Sequence, residues 1–371
     1  MNTQINVIIS GGGTGGHIYP AIAIANALKD LNPSINILFV GALGKMEMEK
    51  VPKAGYKIIG LPITGIQRNL SVENLKFPFR LLKSMFLSRK IIKDFKPNIA
   101  IGVGGFASGP LLLTANNMGV PTLIQEQNSF AGITNKYLSK KAKAVCVAYT
   151  GMEKFFPKDK IIFTGNPVRS DILEVNSKKS IALKHFGLKE NKKTLLVIGG
   201  SLGAKTINEC INEGIESLLK AGYQIIWQTG KLFIEKARKS TENLSNVYVS
   251  DFIYEMDLAY AAADIVVSRA GALSVSELCL AAKPSILVPY PFAAEDHQTQ
   301  NALNLVDKNA AIMVKDNEAK SKLVNEVVDL INNKDLQETL SKNIEKLGKP
   351  LAAKEIANEV FKIIHENSRN K

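Results

Sequence analysis

An apolar segment, a glycine-rich loop and a helical pattern follow one another twice along this chain, and this repeat strongly constrains the fold. The first copy runs from Ile5 to Ser10 through Gly11 to His17, into a helix that we predict over Ile18 to Leu31. The second runs from Thr194 to Ile198 through Gly199 to Ala204, into a helix from Lys205. Such a unit opens the nucleotide-binding half of a parallel α/β domain. Because apolar segments alternate with helical patterns after both copies, we predict an α/β protein with two Rossmann-like domains, built on parallel sheets, that face each other across a cleft.

The length of 371 residues exceeds what one hydrophobic core normally holds. We place an N-terminal domain at residues 1–165 and a C-terminal domain at residues 166–350, because Asn166-Pro167 is a stiff crossing point. We expect the helix in residues 351–371 to pack back on the N-terminal domain.

The composition, 46% apolar and 22% charged, is that of a globular protein. No apolar run reaches the roughly 18 residues that a membrane span needs, and no Lys or Arg precedes Lys29. We therefore expect neither a transmembrane segment nor a secretory signal. Cys146, Cys210 and Cys279 form no metal or disulfide spacing, so we expect reduced, packed side chains. The net charge of +13 implies an anionic partner: nucleic acid, an acidic membrane surface or a phosphorylated substrate.

A nucleotide site is indicated between Asp264 and Gln298. The apolar run that begins at Ile265 turns at Gly271 into a helix, whose first N–H groups attract a phosphate. Glu277 lies in the second turn of that helix, where its carboxylate can accept the two hydroxyls of a ribose. Gln298 ends a polar tail that follows the next strand. The alternative is an ordinary strand-turn-helix with a capping serine and an exposed glutamate.

Several nucleotide-dependent classes are disfavoured. Gly11, Gly13 and Gly16 match GxGxxG, but the second strand ends in Gly41-Ala42-Leu43 without the acid that binds a dinucleotide ribose. Ala204 precedes Lys205 where a Walker loop requires glycine. The four histidines show no metal-ligand spacing, and the chain contains no Asp-x-Asp pair, so we predict no metal.

His17 is the candidate general base, because a neutral imidazole suits the deprotonation of an attacking hydroxyl. The alternative is a histidine that only hydrogen-bonds the loop or an acceptor phosphate. Ser201 is predicted either to contact phosphate or to cap the following helix.

A basic and apolar stretch precedes Lys96. Its predicted membrane patch consists of Arg80, Leu82, Lys83, Met85 and Phe86, the pattern of an interfacial helix. One alternative is an amphipathic helix with its apolar side in the core. Single-stranded nucleic acid is another, but no nucleic-acid-binding motif accompanies the stretch.

Six motifs in order resemble one known family. They are GGTGGH at 12–17, GGFASGP at 104–110, QEQN at 125–128, GNPVR at 165–169, GGSLGA at 199–204 and SRAGALSVSE at 268–277. Together they resemble the bacterial peptidoglycan glycosyltransferases that add N-acetylglucosamine to the lipid-linked muramyl-pentapeptide. The resemblance spans nearly the whole chain. It implies a GT-B-type fold, UDP-N-acetylglucosamine as co-substrate and no cofactor.

The resemblance also implies roles for individual residues. His17 deprotonates the muramyl 4-hydroxyl, which attacks C1 with inversion and forms the β1,4 link of lipid II. Donor contacts fall on Thr14, Gly15, Gly16, Asn128, Arg169, Ser201, Ile253, Ala272, Leu273, Ser274, Val275, Ser276, Glu277 and Gln298. Acceptor contacts fall on Gly104, Gly105 and Ser108, in the N-terminal domain that binds the undecaprenyl acceptor. The protein is then peripheral on the cytoplasmic face of an anionic membrane and binds no nucleic acid. Leu202 departs from the family pattern, where glutamine is frequent.

Three other functions remain open from the residues alone. A nicotinamide oxidoreductase requires the missing ribose acid and a bound chromophore. A non-enzymatic basic module leaves two polar sheet edges unexplained. A transferase of the same class that uses another glycolipid or a small-molecule acceptor differs from the family only in what it glycosylates.

Overall fold

The computed structural model describes residues 4–65 and 75–369 of the chain. The chain forms two compact units. The N-terminal unit comprises Met1–Arg169 together with Leu351–Lys371, and the C-terminal unit comprises Ser170–Pro350.

The N-terminal unit is built on a seven-stranded parallel sheet in the order β3-β2-β1-β4-β5-β6-β7. Its strands are β1 Asn6–Ser10, β2 Asn36–Ala42, β3 Lys57–Leu61, β4 Ile99–Gly102, β5 Thr122–Glu126, β6 Ala144–Val147 and β7 Ile161–Phe163. Its helices before the domain crossing are α1 Gly15–Leu31, α2 Glu47–Lys53, α3 Phe77–Phe95, α4 Ser108–Asn117 and α5 Ile133–Ser139. The central strands are buried on both faces, which explains why they read as unbroken apolar runs in the sequence.

The C-terminal unit has a six-stranded parallel sheet in the order β10-β9-β8-β11-β12-β13. Its strands are β8 Lys193–Ile198, β9 Tyr223–Gln228, β10 Val247–Ser250, β11 Ile265–Ser268, β12 Ser285–Leu287 and β13 Ile312–Met313. Its helices are α6 Lys179–His185, α7 Lys205–Lys220, α8 Ile234–Thr241, α9 Met256–Ala262, α10 Ala272–Ala281, α11 His297–Val306, α12 Ala319–Asn332 and α13 Lys334–Glu345. The predicted fold class, two α/β units with parallel sheets, is confirmed.

Each sheet has one point at which the strand order reverses. In the N-terminal unit this point lies between β1 and β4, and in the C-terminal unit it lies between β8 and β11. The loops that follow such a pair of strands diverge to opposite faces and leave a crevice at the carboxyl edge, where ligands of open α/β sheets bind. The two repeated glycine loops follow β1 and β8, so each lies at the reversal point of its own sheet.

The last helix, α14 Ala352–Arg369, belongs to the N-terminal unit. Ile356, Val360 and Ile364 are buried in the same core cluster as residues of α1 and β1. Full burial of such a side chain stabilises a fold by about 1.5–3 kcal/mol. The amphipathic helix α14 therefore completes the core of the N-terminal unit.

The division between the units falls after Arg169, four residues beyond the boundary that we predicted at 165. Asn166 is buried, and its side-chain amide donates to the Gln127 carbonyl at 3.0 Å. The Arg169 guanidinium lies over the ring of Tyr19, with 5.6 Å between Cζ and the ring centroid. These contacts attach the segment around Pro167 to the N-terminal unit.

The three cysteines are buried and unpaired with one another, as predicted. Burial raises the pKa of Cys279 to about 12 and that of Cys210 to about 11. Their thiols are therefore protonated at neutral pH, which suits packing rather than reactivity.

Candidate functional site

The glycine loop after β1 carries His17 and meets the loop after β4. Helix α1 begins at Gly15 with Thr14 at its N-cap, and the Gly12 N–H donates to the Gly104 carbonyl at 3.3 Å. A Cβ atom on Gly104 would lie 2.6 Å from Cδ2 of His17, closer than real Cβ atoms approach. Glycine at this position therefore leaves the space that the imidazole occupies.

The imidazole of His17 is half-buried and is oriented by its own loop. Nδ1 lies 3.0 Å from the Gly12 carbonyl oxygen and 3.4 Å from Oγ1 of Thr14. Since a carbonyl oxygen only accepts hydrogen bonds, this contact assigns the proton of the neutral ring to Nδ1 and the lone pair to Nε2. The loop hydrogen bond that we considered as an alternative role for His17 is present, and it is compatible with a base at Nε2.

Of the predicted acceptor contacts, Gly105 is half-buried, whereas Gly104 and Ser108 are buried. Gly104 and Gly105 have φ of 96° and 89°, a left-handed conformation that favours glycine. Ser108 is fully buried, and its Oγ lies 2.9 Å from the Gly104 carbonyl and 3.0 Å from the Ser10 carbonyl. The Ser108 hydroxyl therefore links the end of β1 to the loop after β4. Its side chain presents no surface to an acceptor in this structure.

Most of the polar side chains from Gln125 to Asn128, at the end of β5, are buried. Gln125, Glu126 and Gln127 are buried, and Nε2 of Gln127 donates to the Val103 carbonyl at 2.7 Å. Asn128 is half-exposed, and its N–H donates to Oε1 of Glu126 at 3.1 Å. Of these four residues, Asn128 is the one that retains accessible surface for the predicted donor contact.

The positively charged guanidinium of Arg169 lies near the start of α1. Its guanidinium stacks over Tyr19, two residues beyond His17 on the same helix. The predicted donor contacts Thr14 to Gly16 form the N-terminus of that helix. A guanidinium beside a helix N-terminus provides two attractions for the same anion.

Glu47, the first residue of α2, is a residue that no sequence pattern singled out. Its side chain is 1% exposed, and its two carboxylate oxygens accept the N–H groups of Gly13 at 2.8 Å and Ala42 at 2.9 Å. A dinucleotide fold carries its ribose-binding acid directly at the end of the second strand, whereas Glu47 stands five residues after Ala42. The carboxylate binds the protein's own backbone, which differs from the ribose-binding acid of a dinucleotide fold.

In the C-terminal unit, a cavity of about 820 Å³ lies where the loops after β8 and β11 diverge. This volume lies in the range of small-molecule sites. Of the predicted donor contacts, Ser201, Ser274 and Gln298 line the cavity. Its other lining residues are Gly199, Gly200, Leu202, Gly203, Ala204, Lys205, Thr206, Asn208, Thr229, Leu232, Phe233, Arg269, Gly271, Tyr290, Pro291, Phe292 and Asp316.

Two helices begin at this cavity. Helix α7 has Ala204 at its N-cap and α10 has Gly271 at its N-cap, and neither cap residue supplies a side-chain hydrogen bond. The first turn of a helix favours an anion through its N–H groups and its dipole. The alternative role of Ser201 as a helix cap is wrong, because Ala204 occupies that position.

Gly203 fixes the course of the loop before α7. It has a φ of 80°, and a Cβ atom there would overlap the Thr229 carbonyl oxygen. The loop therefore lies directly against the end of β9, which only glycine allows. This close packing holds the loop at the cavity wall.

A buried arginine that we did not assign joins three parts of the cavity wall. Arg269 is 8% exposed, donates to the Val288 carbonyl at 3.1 Å and forms an ion pair with Asp316. Asp316 also accepts the hydroxyl of Thr206 at 2.9 Å. The loops after β11, β12 and β13 and the start of α7 are thereby tied together. The motif around Gly271 contained this arginine, but its partner is distant in sequence.

Glu277 projects from the second turn of α10, as predicted. It is half-buried, and its Oε2 accepts the hydroxyl of the fully buried Tyr260 at 3.1 Å. The tyrosine restricts the carboxylate to one orientation. Within the rest of the predicted run, Val275 packs in the core and the Ser276 hydroxyl donates to the Ala272 carbonyl at 2.9 Å.

The backbone N–H of Ile253 and the side-chain oxygen of Gln298 both form hydrogen bonds within the protein. The Ile253 N–H donates to Oε1 of Gln228 at 2.9 Å, so its carbonyl is the backbone group that suits the predicted donor contact. Oε1 of Gln298 accepts the Tyr290 N–H at 2.9 Å. The side-chain amide nitrogen of Gln298 is consequently the group that can donate to a ligand.

Two family models match the chain. The N-terminal domain model of glycosyltransferase family 28 matches residues 7–147, and the C-terminal domain model of the same family matches residues 194–356. Together these matches cover most of the chain. The chain belongs to glycosyltransferase family 28.

Curated relatives in this family are similar over their full length. A relative from Phocaeicola vulgatus is 55% identical over 366 residues, which is 98% of this chain and 97% of the relative. One from Cytophaga hutchinsonii is 57% identical over 363 residues, 98% of each chain. Both are named UDP-N-acetylglucosamine--N-acetylmuramyl-(pentapeptide) pyrophosphoryl-undecaprenol N-acetylglucosamine transferase. Among solved structures, MurG from Acinetobacter baumannii has a TM-score of 0.75 and 28% identity, over 96% of this chain and 99% of that chain.

Helix α3 of this family 28 chain has an exposed apolar face. Phe79 is 76% exposed, Leu82 is 54% exposed and Phe86 is 74% exposed, whereas Ile91 and Ile92 face the core. The alternative in which the apolar side of the helix is buried is therefore wrong for Leu82 and Phe86.

The other residues of the predicted patch are not equally exposed. Lys83 is exposed, whereas Arg80 and Met85 are half-buried. NH1 of Arg80 donates to Oγ1 of Thr64 at 2.9 Å. Arg80 therefore contributes to the packing of α3 as well as to its charge.

In the part of this family 28 chain that the structure describes, no helix is long and apolar enough to cross a bilayer. Within the same residues, no group of three or more His, Cys, Asp or Glu side chains is arranged to hold a metal ion.

Proposed function

We propose that this chain transfers N-acetylglucosamine from UDP-N-acetylglucosamine to the 4-hydroxyl of the muramyl sugar of undecaprenyl-pyrophosphoryl-N-acetylmuramyl-pentapeptide (lipid I). The product is the β1,4-linked disaccharide of lipid II, a precursor of peptidoglycan. The observation that carries the proposal is the similarity to relatives named for this transfer, which are 51–57% identical over 97–99% of this chain.

The cavity of the C-terminal unit supports a role in donor binding. The N-termini of α7 and α10 border it and provide dipoles for a diphosphate. Glu277 lies on α10, where it can accept the hydroxyls of the ribose, and Tyr260 holds its carboxylate in place. A leaving diphosphate is stabilised by such preorganised groups as its charge develops. We therefore propose that the reaction proceeds without a metal ion and without a cofactor.

The tautomer of His17 supports a role as general base. Its Nε2 takes the proton of the muramyl 4-hydroxyl as the hydroxyl oxygen forms a bond to C1 of the donor sugar. The bond between C1 and the diphosphate oxygen breaks, and UDP leaves with the electron pair. A single displacement of this kind inverts the configuration at C1 and gives the β link. A base in this position contributes about 10²–10⁴ to the rate.

The exposed face of α3 supports contact with the membrane that carries the acceptor. Phe79, Leu82 and Phe86 provide apolar surface, and Lys83 and Lys90 provide exposed charge on the same helix. Such a helix lies in the interface of a bilayer with anionic lipid. We propose a peripheral association with the cytoplasmic face of the cell membrane, where the undecaprenyl acceptor and the nucleotide sugar are both accessible.

The transfer assay tests the proposed function. The purified protein is incubated in EDTA with a lipid-linked muramyl-pentapeptide acceptor and, in separate reactions, UDP-N-acetylglucosamine, UDP-N-acetylgalactosamine or UDP-glucose. We expect stoichiometric UDP and disaccharide product with UDP-N-acetylglucosamine, at a rate well above that with the other two donors. A folded protein that binds UDP but forms no product with this acceptor would refute the proposed acceptor, and transfer to a different glycolipid would identify the alternative.

A further inference from the structure

Glu47 contacts the loop that carries His17. A single peptide group, between Gly12 and Gly13, forms hydrogen bonds with both side chains. The carboxylate Oε2 accepts the Gly13 N–H at 2.8 Å, and Oε1 accepts the Ala42 N–H at 2.9 Å. The side chain is 1% exposed. A carboxylate that is removed from water in this way must be compensated by hydrogen bonds, and here two main-chain donors provide them.

The surroundings of the carboxylate are shaped to admit it. A Cβ atom on Gly12 would overlap the Glu47 carboxylate, and a Cβ atom on Gly41 would overlap its side-chain methylene. Gly12 lies in the loop after β1, and Gly41 lies in β2, next to its last residue. The space for this side chain therefore exists only because two glycines leave it open.

The peptide group between Gly12 and Gly13 connects Glu47 to the imidazole. Its N–H donates to Glu47, and its carbonyl oxygen accepts from Nδ1 of His17 at 3.0 Å. A peptide that donates to a carboxylate carries more negative charge on its carbonyl oxygen, because hydrogen bonds in a chain polarise one another. The bond from His17 Nδ1 is strengthened accordingly.

We propose that Glu47 is a positioning residue that acts on His17 through the Gly12–Gly13 peptide. It holds the carbonyl that fixes the proton on Nδ1, and it raises the basicity of Nε2 by stabilising the imidazolium. An orienting carboxylate serves the histidine of catalytic triads and metal sites in the same sense, by direct contact. Here the peptide transmits the effect. The catalytic consequence rests on the proposed function, whereas the tautomer and the basicity do not.

Arg169 and Thr14 also bear on the protonation of the His17 imidazole. The Arg169 guanidinium stacks over Tyr19 on the same helix and opposes protonation of the imidazole. Thr14 Oγ1, at 3.4 Å from Nδ1, is uncharged and more distant than the Gly12 carbonyl. The negative charge of Glu47, at the far end of the Gly12–Gly13 peptide, acts in the opposite sense and favours the imidazolium.

The first test is the ¹⁵N spectrum of the histidine side chains in the wild-type protein, which has four histidines. The His17 signals are assigned by their loss in His17→Ala. We expect the neutral ring to carry its proton on Nδ1. A neutral ring with its proton on Nε2 would overturn the proposal without any Glu47 variant.

The second test compares Glu47→Gln with Glu49→Gln in the same spectrum as a function of pH. Glu49 is exposed on the same helix and paired with Lys53 at 2.7 Å, so it is the matched control. We expect Glu47→Gln to lower the pKa of His17 by about 0.5–1 unit, because the charge that favours the imidazolium is gone. Glu49→Gln should leave it unchanged. Equal pKa values in all three folded proteins would overturn the proposal.

Kinetics separate this inference from the proposed function. Glu47→Gln should lower kcat about tenfold with unchanged KM for the nucleotide sugar, and the acidic limb of the kcat profile should move to lower pH with the pKa of the base. If transfer is absent in the wild type, the proposed function fails while the spectra still decide the role of Glu47. If Glu47→Gln unfolds, Glu47→Asp keeps the charge but is too short to hold both donors. An Asp variant with the wild-type His17 tautomer, pKa and kcat would then contradict the positioning role.

Discussion

Glu277 is held by a buried tyrosine, and this restraint makes its proposed contact with a ribose specific. The carboxylate accepts the Tyr260 hydroxyl at 3.1 Å, which fixes one oxygen before any ligand arrives. A preoriented carboxylate loses little entropy when it accepts the two ribose hydroxyls.

We expect Glu277→Ala to weaken UDP binding by roughly 10- to 100-fold, since hydrogen bonds to a charged group contribute about 1.5–3 kcal/mol. Isothermal titration calorimetry measures the affinity. The control ligand is the 2′,3′-dideoxy analogue of UDP, which should bind the wild type and the variant equally. If the variant loses the same affinity for both ligands, the carboxylate does not contact the ribose hydroxyls.

Individual residues show what sequence patterns reveal and what they omit. The roles proposed for Glu277 and His17 followed from local order, because each lies within a few residues of a glycine turn that opens a helix. Glu47 and Arg269 were missed because their partners are brought together only by the fold: Gly13 lies 34 residues from Glu47 and Asp316 lies 47 residues from Arg269. The acceptor contact predicted for Ser108 stays a prediction, and in this structure its hydroxyl donates to two backbone carbonyls.

At the scale of elements, the strands and helices were predictable because both sheets are parallel and covered on both faces. Their central strands are unbroken apolar runs that end at glycine or polar residues, so β1 and β8 end at the predicted residues, Ser10 and Ile198. Side-chain direction within an element was less predictable. The alternation of basic and apolar residues in α3 allowed a core face or a membrane face, and only packing distinguishes them. The buried side of α3 contains Ser84 and Ser88, whereas Phe79 and Phe86 are exposed.

The exposed face of α3 should drive binding to anionic vesicles. We expect Lys83→Glu with Lys90→Glu to lower the membrane partition coefficient about tenfold or more, since each cation near anionic lipid contributes about 1 kcal/mol. Sedimentation with vesicles that contain phosphatidylglycerol measures the partition. The matched control is Lys231→Glu with Lys239→Glu, the same charge change at exposed positions of the C-terminal unit.

The apolar part of the same face has its own test. Phe86→Ser should weaken vesicle binding even in high salt, because its contribution comes from burial rather than charge. Activity on a water-soluble acceptor should remain at the wild-type level in both α3 variants. Vesicle binding that is unaffected by these changes on α3 would contradict the membrane role of the helix.

At the scale of the whole molecule, the stability of the C-terminal unit depends on a half-buried lysine that follows α10, Lys283. Burial lowers the pKa of Lys283 to about 8, and the nearby Asp264 carboxylate offsets part of this effect. Because the folded pKa lies below the ordinary lysine value of 10.5, the unfolded chain binds the proton more tightly between these two values. This residue therefore makes stability rise with pH across that window and reduces it below about pH 8.

We expect Lys283→Met to stabilise the protein by about 1–2 kcal/mol at pH 7, with the gain disappearing near pH 10.5. Urea unfolding at several pH values measures the difference between variant and wild type, in which the titration of other groups cancels. Lys239→Met, at an exposed position of the same unit, should show no such pH dependence. A constant difference for Lys283→Met at all pH values would show that its burial has no effect on its ionisation.

The proposed reaction divides its chemistry between the two units. The cavity of the C-terminal unit contains the groups suited to a diphosphate, and the loop after β1 in the N-terminal unit contains the imidazole suited to the acceptor hydroxyl. We therefore expect a substitution of the imidazole to impair activation of the acceptor while the cavity still binds the diphosphate.

The role of His17 is tested most directly by measuring both the turnover of His17→Ala and its affinity for UDP. We predict that kcat for transfer from UDP-N-acetylglucosamine to the lipid-linked muramyl acceptor falls by about 10²–10⁴, while the Kd of UDP from calorimetry stays within about twofold of the wild type. A His17→Ala protein that turns over at the wild-type rate would contradict the central claim that this imidazole activates the acceptor.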